Sequence, residues 1–149
     1  MLHLPKKMLY ALEAVVDIAF NARPNPVQSK EITQRQGIPQ RYLEQVMQQL
    51  VHAGILKGVR GPRGGYRLAR ERRRITAGDI VRVISEADTE EEAQIFSSEI
   101  GQKVVGPLWK DAQSAMLRQL DQVTLEDLCR QVGADCGEVA PRPTNTFDI

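Results

Sequence analysis

The chain has 149 residues, 42% apolar and 26% charged, ordinary values for one globular domain or one domain with an appendage. It has no apolar run of the roughly 18 residues a spanning helix needs. Glu13 and Asp17 interrupt what would be a signal-peptide core, so the cytoplasm is the expected compartment. The formal net charge of +1 conceals an asymmetry: residues 1–84 carry 15 Lys and Arg against 6 Asp and Glu, a net of +9, and residues 85–149 carry 5 against 13, a net of −8. Such an N-terminal excess suits contact with a polyanion, although two solvated faces of opposite sign would give the same count.

A first helix is predicted over about residues 5–22, with Leu9, Leu12, Val15, Val16 and Ala19 at helical period, ended by Pro24 and Pro26. Ser29 is the expected cap of a second helix running to about Gln36, with Glu31 in its first turn. Gly37 supplies a turn, and Pro39 suits the first position of a third helix that turns Leu43, Val46, Met47 and Leu50 inward and ends near Gly54. Two helices joined by a tight turn make a helix-turn-helix. The period then changes. Residues 55–60 and 66–69 read as two strands around Gly61-Pro62-Arg63-Gly64-Gly65, a hairpin with a basic, glycine-rich tip of the kind called a wing.

Thr76 is expected to cap a short helix over 77–85. Thr89 with Glu92 reads as a capping box opening another helix, which Gly101 and Gly106-Pro107 should interrupt. Pro107 then starts a stronger helix to about Asp121, with Leu108, Ala112, Met116 and Leu120 at every fourth position and Trp109 beside them. Thr124 and Asp127 cap a short last helix, and the tail from Pro141 is expected to be loosely ordered. The fold class is therefore mostly α with a small β-hairpin.

The third helix offers Gln40, Arg41, Tyr42, Glu44, Gln45, Gln48 and Gln49 to solvent. Gln and Arg read base edges in the major groove through paired hydrogen bonds, and Glu accepts from cytosine N4, so this amide-rich face suits readout better than an ordinary polar surface would. Arg60, Arg63 and Arg67 cluster in and around the hairpin, where arginine can enter a narrow minor groove. A phosphate loop is not expected, because no G-x-x-x-x-G-K-[ST] motif is present and no helix starts at Gly65. Arg70, Arg72, Arg73 and Arg74 form a basic run, read as a solvated surface or as diffuse phosphate attraction. Lys6 and Lys7 could pair with backbone phosphates. The two histidines, His3 and His52, have no nucleophile or carboxylate at catalytic spacing, so no enzyme is expected.

These residues resemble the Rrf-two (BadM/IscR-type) family of bacterial winged-helix transcriptional regulators. Three stretches carry the resemblance: Tyr10-Ala11 with Asp17-Ile18-Ala19; Gly37-Ile38 followed by Tyr42-Leu43-Glu44-Gln45; and Val59-Arg60-Gly61-Pro62-x-Gly64-Gly65-Tyr66-x-Leu68. Weaker matches at Ile80-Val81, Leu108-Trp109 and Thr124–Leu128 extend it over about residues 1–130. It implies a winged helix-turn-helix over 1–84, a sensor loop over 85–106, a dimerisation helix and a short helix over 107–132, and a flexible tail over 133–149. It also implies a homodimeric, cytoplasmic repressor on an imperfectly palindromic double-stranded DNA operator, answering to a small-molecule or protein effector, with no membrane partner. Gln40, Arg41, Tyr42, Glu44 and Gln45 would read or position, Arg60 and Arg63 would belong to the wing, and Lys6 and Lys7 would meet phosphates. Leu108, Trp109, Ala112, Met116 and Leu120 would form the dimer seam.

One departure matters. Cluster-binding members carry three cysteines between the post-wing helix and the dimerisation helix, whereas residues 85–106 contain no cysteine and no histidine and offer Glu90, Glu91, Glu92, Ser97, Ser98 and Glu99. No cofactor is therefore expected, and no metal site, because thiolates are the usual iron–sulphur ligands. Cys129 and Cys136 keep a cluster shared between protomers, or a thiol switch, as an alternative reading. A winged-helix protein-interaction module is another.

Overall fold

In a computed structural model the chain is described over residues 4–22, 24–86 and 96–139, the last six as backbone alone. The predicted capping box at Thr89 and Glu92, and the tail from residue 140, lie outside the described residues. Helix α1 (Lys6–Asn21) packs against nearly every other element: α2 (Ser29–Gln36), α3 (Gln40–His52), α4 (Ala77–Ser85), α6 (Leu125–Val139) and strand β2 (Gly65–Leu68). Because it is surrounded, its buried residues are not one narrow stripe. Ala11, Ala14, Val15 and Ile18 are fully enclosed, whereas Leu9, expected inside, is exposed, and Leu12 and Val16 are half-buried. The buried alanines are small residues that a search weighted toward large apolar side chains passes over.

Helix α2 is capped by Gln28, not by Ser29: the Gln28 N–H donates to Glu31 Oε2 at 2.8 Å and Ser29 is the first helical residue. Gly37, at φ 68°, ends it in the left-handed conformation and donates to the Thr33 carbonyl at 2.9 Å. Leu43, Val46, Met47 and Leu50 of α3 are all buried, as predicted. Strands β1 (Leu56–Val59) and β2 pair antiparallel with Leu56 opposite Leu68 and Val59 opposite Gly65. Val27 bridges to the other edge of β2, exchanging hydrogen bonds of 3.0 and 2.7 Å with Tyr66. That close approach requires Gly65, since a Cβ there would overlap the Val27 carbonyl.

A 3₁₀ turn (Arg72–Arg74) leads into α4, whose N-terminus carries the predicted Thr76 cap, with Thr76 and Asp79 exchanging bonds of 3.0 Å each. Thr124 and Asp127 repeat the device at α6. The two caps lie side by side: the Ala77 N–H donates to the Val123 carbonyl at 2.8 Å and the Leu125 N–H to the Ile75 carbonyl at 2.9 Å. Helix α5 (Gly106–Leu120) returns to this corner, where Asp121 accepts two bonds from Arg82, one of 2.7 Å. A Cβ at Gly78 would overlap the same carboxylate.

Two expectations give way at the C-terminal side. Gly101 and Gly106-Pro107 do not break the chain's helical course: residues Gly101–Val105 form a π turn that runs directly into α5, with the Gly106 N–H bonded to the Gly101 carbonyl. Widening the turn accommodates the missing proline N–H. The last helix is 15 residues long and takes in residues 133–139, where a flexible tail is expected from the sequence. Proline arrives only at Pro141, and Gly133 and Gly137 do not stop the helix.

Candidate nucleic-acid interface

The inward residues of α3 fix which side it turns outward. Gln40, Arg41, Glu44, Gln45 and Gln48 are exposed there, and Tyr42 is half-buried. Gln49 departs from the prediction: it sits half inside, with its amide oxygen buried and without a partner among the described residues. Gln40 Nε2 donates to Glu44 Oε1 at 3.2 Å, which steadies the carboxylate one turn along the helix. The Arg41 guanidinium lies over the Tyr42 ring, 5.0 Å from its centroid, and that ring meets Tyr10 of α1 at 5.6 Å. The aromatic pair thus joins the start of α3 to α1 one turn beyond Lys6 and Lys7. Those two lysines occupy the positive end of the α1 dipole with no acidic residue in the first turn, an arrangement an anion would relieve.

A second anchor was not foreseen. The Asp17 side chain is wholly buried, and its carboxylate accepts from Arg35 Nε at 2.9 Å, Arg35 Nη2 at 2.7 Å and Gln36 Nε2 at 2.8 Å. These bonds raise the Arg35 guanidinium above its ordinary value. They tie the end of α2 to α1 and so set the floor of the helix-turn-helix. The available signal is a carboxylate flanked on both sides by apolar residues, Ala14-Val15-Val16 before it and Ile18-Ala19-Phe20 after it.

Arg60 and Arg63 stand exposed at the hairpin turn, and among the described residues neither meets a carboxylate. Gly61, at φ 108°, makes that turn possible. Arg67 instead folds back, its Nη2 donating to the Pro24 carbonyl at 2.9 Å. Of the basic run, Arg70, Arg73 and Arg74 are exposed, as a solvated surface would have them, whereas the 3₁₀ turn brings the largely buried Arg72 within 3.4 Å of Glu126 on α6.

On α5 the expected seam residues divide. Leu108, Trp109, Ala112 and Met116 are exposed, continuing from exposed Ile100, Val104 and Val105. Leu120 packs with Leu117 against the protein's own core. The reason is geometric: a step of four residues overshoots one turn by about 40°, so three steps carry a stripe about 120° around the helix. Leu120 leaves the outward face by that drift.

The model of the Rrf2 (Rrf-two) family, described as iron-dependent transcriptional regulators, matches residues 4–131. The HTH-type transcriptional regulator IscR of Vibrio campbellii is 34% identical over 129 residues, covering 85% of this chain and 77% of the relative. Among solved structures, T. potens IscR superposes with a TM-score of 0.73 at 33% identity, covering 95% of this chain and 94% of that one. CymR, the global cysteine regulator of B. subtilis, gives a TM-score of 0.66 at 34% identity, covering 88% and 98%.

The family's iron dependence can be tested against these residues. Cys129 is one of two cysteines in the chain and is 2% exposed, packed in the core from α6. Residues 85–106 hold no thiol or imidazole. This donor set does not fit a three-thiolate cluster between α4 and α5. The family match and the winged-helix neighbours nonetheless agree along nearly the whole length, and the chain belongs to the Rrf2 family of winged-helix, DNA-binding transcriptional regulators.

Proposed function

We propose that this protein is a homodimeric, cytoplasmic repressor that reads an imperfect palindrome, with α3 in the major groove and the wing in the minor groove. The observation that carries the reading is the α3 surface: a helix locked by four buried apolar residues presents Gln40, Arg41, Glu44 and Gln45 outward. Wing residues Arg60 and Arg63, held by no carboxylate among the described residues, support it, as do the cations of the first α1 turn. The exposed Ile100 to Met116 surface supports a partner helix at the α5 seam, with residues 1–84 as the DNA-binding part. A protein-interaction module would want its apolar patch on α3, and here that patch lies on α5. A thiol switch within one protomer is disfavoured: seven helical steps set Cys129 and Cys136 about 10 Å apart along α6, beyond the roughly 7 Å limit for a disulfide.

Selection from a random duplex pool, followed by footprinting and light scattering, tests the proposal. The expected result is a dimer protecting two half-sites about 34 Å apart. If the dimer neutralises about eight phosphates, log Kd plotted against log salt should have a slope of magnitude near 7. A pool that yields no enriched sequence, or binding indifferent to salt, would overturn it.

A further inference from the structure

The arginine run after the wing has a definite place in the fold. Arg72 and Arg73 of the 3₁₀ turn and Arg70 just before it line one open cavity of about 670 Å³, whose other walls include Lys57 and Arg67 of the hairpin and Arg130 of α6. Glu71 and Glu126 share the lining, so six cations face two carboxylates, a net of +4. The carboxylates are already engaged: Arg73 Nε donates to Glu71 Oε2 at 3.0 Å, and Glu126 pairs with Arg72 at 3.4 Å and more distantly with Arg130 at 3.9 Å.

The remaining cations are poorly compensated. Lys57 and Arg67 stand directly opposite each other in the β1–β2 register, a like-charge pair that weakens a hairpin. The Arg67 side chain reaches one backbone carbonyl, and the Lys57 and Arg70 side chains have no hydrogen bond or ion pair among the described residues. Ile18, Ala19 and Leu68 supply an apolar floor, which strengthens charge interactions above it. Repulsion of this kind is relieved by a multivalent anion, and guanidinium forks match phosphate oxygens in pairs. The volume is within the range of small-ligand sites, roughly 300–1,000 Å³.

We propose that this cavity at the base of the wing binds a phosphate-bearing polyanion, held chiefly by Lys57, Arg67 and Arg70. The phosphate comes either from a soluble phosphoanion or from backbone flanking the operator. Because its opposite walls belong to the hairpin and to α6, an occupant ties the wing to the C-terminal helices.

The test uses the full chain in two arms. In the first, DNA-free protein is titrated calorimetrically with tripolyphosphate at constant ionic strength, with citrate as the control. Saturable binding of one anion per protomer is expected, at least tenfold weaker in Lys57→Gln/Arg70→Gln. Arg70→Gln alone should give an intermediate loss. The double variant should melt no lower than the parent without anion, because removing repulsion does not harm the fold. In the second arm, the double variant is compared on a minimal duplex and on one with added flanking pairs. A flank that supplies the phosphates lowers the salt slope by about 2 per protomer on the longer duplex alone. An effect in either arm supports the site and names its source. No effect in both arms, citrate binding as tightly as tripolyphosphate, or a lower anion-free Tm for the variant overturns it. The first arm involves no DNA, so its failure is separable from failure of the operator reading.

Discussion

Replacing Asp17 by Ala removes the acceptor of three hydrogen bonds that hold the end of α2 on α1. Losing one member of a buried ion pair costs roughly 3–5 kcal/mol, because the other charge is stranded. Here the stranded Arg35 side chain is 35% exposed while that of Asp17 is 0% exposed. Water can therefore rescue the guanidinium, which puts Asp17→Ala near the low end, about 3 kcal/mol. Arg35→Ala leaves a carboxylate with no water and should cost more, about 4 kcal/mol. For a chain of this size each 1 kcal/mol moves Tm by about 2–4 °C, so Asp17→Ala should melt about 6–12 °C below the parent. The double variant should lose about 2 kcal/mol less than the sum of the two single losses, since each single change already breaks the pair. Thermal and urea unfolding followed by circular dichroism, at one fixed protomer concentration, measures all three. An Asp17→Ala protein melting within about 2 °C of the parent, or single losses that simply add, would refute the reasoning.

Other expectations concern the interface, the seam and acid stability. Arg60→Ala should weaken operator binding and soften any preference for A/T-rich minor grooves, read from gel-shift titrations on matched sites. Glu44→Gln should alter base preference at one position of each half-site by about 1–3 kcal/mol while leaving non-specific affinity unchanged; equal losses on every sequence would make Glu44 structural. Leu108→Asp should yield monomers by light scattering with the fold retained, whereas Leu120→Ala should lower Tm without dissociating the protein. Asp121 is held below the ordinary carboxylate value of 3.8 by the Arg82 hydrogen bonds, and Asp127 by the Thr124 backbone N–H. A depressed folded value means that the stabilisation is complete above that ordinary value and disappears as pH falls through the lower folded one. Urea unfolding should thus show no loss from these groups near neutrality and a decline in strong acid, shallower in Asp121→Asn.

Local devices were the most legible parts of the chain. The Thr76 and Thr124 caps, the Gly37 turn and the inward face of α3 depend on residues a few positions apart, so spacing alone locates them. The hairpin was legible for the same reason, but not the reach of Val27 to Tyr66, which depends on a partner distant in sequence. The phase of α1 was misread because a helix packed on several sides has no single apolar face for a period to reveal. The Asp17–Arg35 pair bridges 18 positions, and carboxylates and guanidiniums on helices are ordinarily solvated. In the interface, exposure of Gln40 to Gln45 followed from α3's own period, but Gln49 lies at the edge of that face, where neighbouring elements decide. Leu120 was lost to the same drift: a repeat of four tracks a helix only for about two turns.

The corner where α4, α5 and α6 meet has a mechanical consequence. Two threonine caps set edge to edge, a two-pronged guanidinium clasp and a glycine pressed on the clasped carboxylate tie this joint together at three points. Close-packed contacts of this kind pass displacement on instead of absorbing it. In the proposed dimer, a tilt of α5 would accordingly swing the winged half as a stiff crank, altering the spacing between two reading heads without deforming either.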